Sequence, residues 1–220
     1  MNLLYFDTIT DWITIGIYSI TESGVQELTF YQGRHPREAG NRLVTDIASA
    51  MKNRDIEKVD QIFVPNGPGS FTGIRITVST ARNFSQIWKI PVSSCNTIEL
   101  YSYYYFQKLN RPSLILLDAR MGKVYAGMYS GNGFSGVRDI PPSEVKNEFS
   151  LNDCEIISDF DFPHSQSIHL DYPSPRMYLS QFQSKFLSLD YNTNHYEGLL
   201  PNYMRGTYAD GIQHEKKYSA

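Results

Sequence analysis

A run of small and hydroxylated residues, Pro65-Asn66-Gly67-Pro68-Gly69-Ser70-Phe71-Thr72-Gly73, stands between a short apolar segment, Gln61 to Val64, and a long amphipathic one. Glycines at a strand-to-helix junction permit positive φ and close backbone approach, and the first N–H groups of a helix suit an anion. Two readings follow. Either Gly67, Gly69, Ser70, Thr72 and Gly73 cradle a phosphate or carboxylate, or they form a tight corner in which Ser70 or Thr72 caps the helix. The run has no Gly-Lys-Ser/Thr and no G-x-G-x-x-G spacing, so it is neither a Walker loop nor a dinucleotide fingerprint. The other wall of a phosphate site would be the turn after the first strand, Asp7-Thr8-Ile9-Thr10. A glycine in the third position there would let the backbone touch phosphate. The β-branched Ile9 blocks both positive φ and close approach, which leaves Asp7 and Thr8 as part of an incomplete two-sided clamp.

No other constellation supplies chemistry. The histidines are His35, His164, His169, His195 and His214, with no pair three or four apart on a helix to hold a metal. Cys95 follows Ser93-Ser94 at a strand end and reads as a small core residue, and with Cys154 it is too little for a disulfide framework. Ser70 is followed by Phe71-Thr72-Gly73, which is not a nucleophile elbow. Asp118-Ala119-Arg120-Met121-Gly122 reads as a hairpin turn whose carboxylate and guanidinium can pair or hold a ligand. The run Tyr101, Tyr103, Tyr104, Tyr105 lacks interleaved Arg or Lys, so it is expected on an amphipathic helix with hydroxyls toward water rather than as a base-stacking platform.

Around these residues the apolar patterning predicts three successive strands, Leu3 to Phe6, Trp12 to Tyr18 and Val25 to Tyr31. A helix from Pro36 to Lys52 comes next, then a strand at Gln61 to Val64, a helix from Gly73 to Trp88, and a short strand at Val92-Ser93. Asn96, with Glu99 three residues on, is expected to cap a third helix toward Phe106. A second meander follows, with strands at Ser113 to Asp118 and Lys123 to Tyr129, a short helix at Ser143 to Phe149, a strand at Glu155 to Ser158 and a helix from Arg176 to Leu189. Two meanders, each followed by helices, imply a duplicated α/β fold of the actin-like (ribonuclease-H-like) type with a shortened second half. The expected organisation is 1–108, 109–206 and a polar tail at 207–220.

The two helices flanking the glycine-rich run have broad apolar sides. Ala39, Leu43 and Ile47 recur at four-residue spacing in the first. In the second, Ile74, Val78, Ala81 and Trp88 cluster, and Ile76, Phe84 and Ile87 extend the arc to about half the circumference. Thr77, Ala81 and Ser85 form a strip of small residues at i, i+4, i+8, where another helix could lie close. The larger prior is that both helices cover their own sheet; the alternative is an intermolecular bundle. On that alternative Ala81→Arg is expected to disrupt association and leave the monomer folded. The formal charge is −3 with a sequence pI of about 5.9, so no whole-molecule basic field exists to hold nucleic acid. No apolar run approaches the ~20 residues of a membrane span, and MNLLYFDTIT lacks the basic n-region of a signal peptide. A soluble, cytoplasmic protein is expected.

Four stretches carry a resemblance: Gly67-Pro-Gly-Ser-Phe-Thr-Gly-Ile-Arg75 with Ile90-Pro91, Leu117-Asp-Ala-Arg-Met-Gly-Lys-Val-Tyr125, the opening Asp7-Thr8, and Pro201-Asn-Tyr-Met-Arg205. In these the sequence resembles the bacterial TsaB family, also called YeaZ, which acts in making threonylcarbamoyladenosine in transfer RNA. The resemblance implies an actin-like fold without catalytic activity of its own, partnered by a metal-dependent TsaD-like catalytic subunit and a TsaE-like ATPase. It also implies a homodimer when alone, contact with tRNA only through the complex, and no cofactor on this chain alone, any nucleotide lying at a joint site with the partner. The helices carried over to the interface are Pro36 to Lys52 and Gly73 to Trp88. Pro141 to Leu199 carries none of the motifs. Competing readings are an actin-like ATPase or small-metabolite kinase built on the Gly67 to Gly73 run and, further off, a glycoprotease-like metallopeptidase.

Overall fold

The computed structural model describes residues 1–163, 167–171 and 173–204. The tail at 207–220, with Arg205, His164 and His214, lies outside the described residues. Strands β1 (Asn2–Asp7), β2 (Trp12–Thr21) and β3 (Gly24–Arg34) form an antiparallel meander. Then come α1 (Ala39–Lys52), β4 (Gln61–Pro65), α2 (Phe71–Trp88), β5 (Val92–Cys95) and α3 (Thr97–Leu109). The sheet order is β3-β2-β1-β4-β5, with β4 parallel to both β1 and β5.

The second sheet repeats the pattern. It is built from β6 (Ser113–Arg120), β7 (Lys123–Ser130), β8 (Gly133–Phe134), β9 (Arg138–Ile140), β10 (Glu155–Ser158) and β11 (Ser167–His169). β7 is antiparallel to β6 and to β9, β10 runs parallel to β6, and β11 parallel to β10. Read as β9-β7-β6-β10-β11, this is the same order and the same sense as the first sheet. The copies differ in their crossovers. α2 bridges β4 to β5, whereas residues 159–166 alone bridge β10 to β11, too few for a comparable helix. The counterpart of α1 is only a 3₁₀ turn at Pro142–Glu144 running into α4 (Val145–Glu148). That is the physical content of the shortened second half.

Three cores hold five layers together. α1 and α2 cover the outer face of the first sheet through Leu43, Ile47, Ile74, Val78 and Ala81 against Leu4, Phe6, Ile62 and Val64. The inner faces of both sheets close on α3, α5 (Arg176–Gln181) and α6 (Gln183–Leu187), with Tyr5, Phe63, Tyr101, Ile115, Tyr178 and Phe186 among the buried contacts. α4 and its flanks cover the outer face of the second sheet.

Local chemistry explains most boundaries. Asn96 caps α3, its side chain accepting from the N–H groups of Ile98 (2.9 Å) and Glu99 (3.2 Å). α1 begins at Ala39 rather than at Pro36, because Arg37 sits at φ 67°, outside the helical basin. The helix expected from Arg176 to Leu189 is broken in two at Phe182, whose φ of −108° and ψ of 25° leave the helical ladder. The expectation for the tyrosine run is also corrected: Tyr101, Tyr103 and Tyr105 are buried, since α3 is enclosed by both sheets and has no wet side there. Their hydroxyls donate inward, to Asp7, to Gln181 and to the Asp171 carbonyl respectively. Among the described residues no helix is long and apolar enough to cross a membrane.

Candidate functional site

The glycine-rich run and the turn after β1 meet at one end of a cleft of about 680 Å³ between the two sheets. Ile9 to Trp12 and Gly69 to Thr72 form one wall, and Leu117 to Arg120, Asp159 and Tyr203 face them. At the corner, Thr8 locks onto α2. Its N–H donates to the Thr77 hydroxyl (3.1 Å), the two hydroxyls lie 2.9 Å apart, and the Thr8 hydroxyl donates to the Gly73 carbonyl (3.0 Å). Ser70 is the N-cap of α2, its Oγ accepting from the Gly73 N–H at 3.3 Å.

The three glycines are required by protein contacts. A Cβ on Gly73 would stand 2.0 Å from the Thr8 carbonyl oxygen and 2.8 Å from Ile9 Cα. A Cβ on Gly69 (φ 151°) would stand 2.3 Å from Ile9 Cγ2, and one on Gly67 (φ 115°) 2.2 Å from the Asn202 carbonyl oxygen. The close backbone approach that glycine permits is thus taken up by Thr8, Ile9 and the strap Leu199 to Tyr203, which is pinned by the Asn202 N–H donating to Asn66 O (2.7 Å). Of the clamp residues, Gly69, Ser70 and Thr72 line the cleft, while Asp7, Thr8, Gly67 and Gly73 are buried behind it.

Asp7 is fully buried and turned away from the cleft. It accepts from the Ile9 N–H (2.7 Å), the Tyr101 hydroxyl (2.9 Å) and the Tyr5 hydroxyl (3.3 Å). Burial pushes its carboxyl up to about 6, against the opposing pull of those donors. Because the folded state holds this proton more tightly than the unfolded chain does, the group contributes most below its ordinary value near 4 and loses that contribution as the pH rises through 6. The stability gap between the wild-type chain and Asp7→Asn is therefore expected to move against the wild type by about 2 kcal/mol between pH 4 and 8. Urea unfolding of both proteins across that range measures it, and a gap that stays constant with pH refutes it. Cys95 is likewise buried, its thiol pushed well above the ordinary range by burial, which removes it as a nucleophile. Asp118 and Arg120 pair at 2.9 Å within the hairpin turn.

The expected helix interface requires correction. Leu43, Ile47, Ile74, Thr77, Val78, Ala81 and Ser85 are buried against the chain's own sheet. The strip Thr77, Ala81, Ser85 does bring a close approach, but to the turn after β1 and to the chain after α2: Thr77 bonds Thr8, and the Ser85 hydroxyl donates to the Ile90 carbonyl at 2.8 Å. Ala39 is half-buried, and Trp88 is exposed at 38% and stacked on Phe84 at 4.3 Å. The outward apolar residues are instead Val44 (53% exposed), Ile87 (71% exposed) and Trp88, with Gly40 and Ala48 also exposed on α1. Sequence reasoning missed this face because the apolar arc of α2 exceeds what one sheet covers. It also missed Tyr101 as a partner of Asp7, since no local spacing announces a bond between residues 94 apart, and Tyr5, whose i, i+2 position on the same strand face was the one local signal for it. Among the described residues no group of three His, Cys, Asp or Glu is placed to hold a metal ion.

The repeated strand order, the corner of β1 against α2 and the cleft between the sheets define an actin-like (ribonuclease-H-like) α/β protein. Residues 17–138, more than half the chain, match the sequence model of the family described as "TsaD: tRNA N6-adenosine threonylcarbamoyltransferase". The chain belongs to this family and, within it, to the TsaB (YeaZ) proteins. It is 26% identical over 229 residues to the tRNA threonylcarbamoyladenosine biosynthesis protein TsaB of Bacillus subtilis, covering 93% of this chain and 94% of that one. It is 27% identical over 134 residues to the protein of the same name from Escherichia coli, covering 59% and 55%. The solved structure of YeaZ from Pseudomonas aeruginosa superimposes with a TM-score of 0.72 at 18% identity, over 92% of this chain and 99% of that one, a likeness of fold.

Proposed function

We propose that this chain acts in tRNA threonylcarbamoyladenosine biosynthesis as a non-catalytic partner of a TsaD-like subunit, in the cytoplasm, with a TsaE-like ATPase joining the assembly. The names of its relatives supply the pathway. The observation that carries the non-catalytic reading is the corner itself: Ile9 and Thr8 fill the space that Gly69 and Gly73 leave open, so backbone that would otherwise reach a phosphate is packed against protein. The same packing weighs against an autonomous ATPase or kinase, and any nucleotide is assigned to a joint site with the partner.

The outer face of α1 and α2, around Val44, Ile87 and Trp88, is the surface offered for assembly, to the TsaD-like subunit or to a second copy of this chain when alone. The test is co-purification with the TsaD-like subunit of the same organism, followed by measurement of the modified adenosine in tRNA. Val44→Glu with Ile87→Glu is expected to weaken capture at least tenfold and abolish modification, while the melting temperature stays within a few degrees, since both side chains are exposed. Full capture by the double variant refutes the interface. Sustained ATP hydrolysis by the purified chain alone refutes the non-catalytic reading.

A further inference from the structure

Between Asp60 and Glu99 the chain carries no carboxylate, although the protein as a whole is acidic at −3. The charged side chains in that interval are Arg75, Arg82 and Lys89, spaced seven residues apart along α2 and its C-cap. Seven residues of α-helix rise about 10.5 Å and return almost to the same azimuth, so Arg75 and Arg82 share one side of α2, and Lys89 follows about 10.5 Å further along at the left-handed C-cap, off the helical azimuth. The row lies on the side of α2 that meets the strap, around the helix from the Ile87 position. Arg75, Ser79, Arg82 and Asn83, with Pro201 and Tyr203 of the strap, enclose a shallow pocket of about 230 Å³.

Every polar side chain lining that pocket can donate a hydrogen bond, and no carboxylate lines it. Arg75 lies over the Phe71 ring at 5.5 Å, and Arg82 donates one bond, to the Leu199 carbonyl at 3.4 Å. Neither makes an ion pair among the described residues, in contrast to Arg34, Arg42, Arg111, Arg120 and Arg138. Glu197, on the turn that packs against α2, is engaged by the Tyr196 hydroxyl (3.4 Å) and stands 4.0 Å from His195. A pocket without carboxylates between two guanidinium groups that make no ion pair, with a third cation following at the helix C-cap, is complementary to a chain of phosphates.

We propose that the Arg75–Arg82–Lys89 row is a binding surface for the phosphodiester backbone of a folded RNA. The choice of tRNA as the RNA rests on the function proposed above; the phosphate-binding surface itself does not. A contact of this kind is local, reads no bases and weakens steeply with salt, in keeping with a protein that has no overall basic field.

The test is fluorescence anisotropy of the full chain with a labelled, unmodified tRNA transcript at about 50 and about 200 mM salt. Arg75→Gln with Arg82→Gln and Lys89→Gln is expected to lower affinity tenfold or more and to reduce the slope of log K against log salt by about 2. Lys52→Gln with Arg54→Gln, removing two exposed cations elsewhere, is expected to leave both unchanged. Thermal melts of all three proteins should agree within a few degrees. Unchanged affinity in the triple variant, or no binding by the wild type at low salt, overturns the proposal. So does row-dependent capture of polyglutamate without row-dependent capture of RNA, which would assign the surface to an acidic protein segment. Row-dependent RNA binding combined with no effect of the chain on tRNA modification upholds the phosphate surface and removes only the pathway reading.

Discussion

Ala81→Arg is expected to unfold the chain, with loss of the cooperative thermal transition near physiological temperature. Ala81 is fully buried in the layer between α2 and the first sheet, beside Ile74 and Val78. A guanidinium placed there must be desolvated without a carboxylate partner, or α2 must lift off β4 and forfeit the core beneath it. Breaking charge complementarity in an interior costs about 3–5 kcal/mol, and overpacking adds about 1–3 kcal/mol more. That sum is comparable to the ~5–15 kcal/mol that keeps a domain folded. Ile87→Arg supplies the contrast. The side chain is 71% exposed, so the same guanidinium on the same helix is expected to leave the melt unchanged and to block capture of the partner. Circular dichroism with a pull-down separates the two. A folded Ala81→Arg protein that merely fails to associate would return the small-residue strip to the outer surface and overturn the packing described above.

Gly73→Ala is expected to cost about 3–5 kcal/mol through a single methyl group, because the atoms it meets are backbone and cannot rotate away. The Thr8 carbonyl oxygen lies 2.0 Å from the position of the new Cβ, and Ile9 Cα lies 2.8 Å away. Relief requires the first turn of α2 to separate from the β1 corner, which breaks the bonds from Thr8 to Thr77 and to the Gly73 carbonyl. At about 2–4 °C per kcal/mol for a chain of this size, the melting temperature should fall by roughly 10 °C. Gly131→Ala, where no atom lies within 4 Å and φ is not in the left-handed region, is expected to stay within about 0.5 kcal/mol of the wild type. Calorimetry of both variants measures the difference. Equal melts would mean that the glycine is free for a ligand, and the phosphate-cradle reading of this corner would regain its footing.

The sequence by itself determined what is local. Alternation in Trp12 to Tyr18 and in Lys123 to Tyr129, the Asn96 cap, the Ser70 cap and the tight turn at Arg120 to Gly122 all depend on neighbours a few residues apart, and each stands where local chemistry places it. The duplicated strand order was legible for the same reason, as the order of elements along a chain is itself a local property. What the tertiary structure decided is which side of each element meets which partner. α2 is apolar around about half its circumference, so its periodicity could not say that Thr77, Ala81 and Ser85 face β1 and β4 while Ile87 faces out. α3 is enclosed by two sheets, and that turned the tyrosine hydroxyls inward to Asp7, Gln181 and Asp171. The glycine-rich run could equally have served a ligand or a corner, and the choice rests on Ile9 and Asn202, one preceding the run and the other far beyond it. Contacts of that separation are set by the closure of both sheets around a shared core, which no spacing within either segment records.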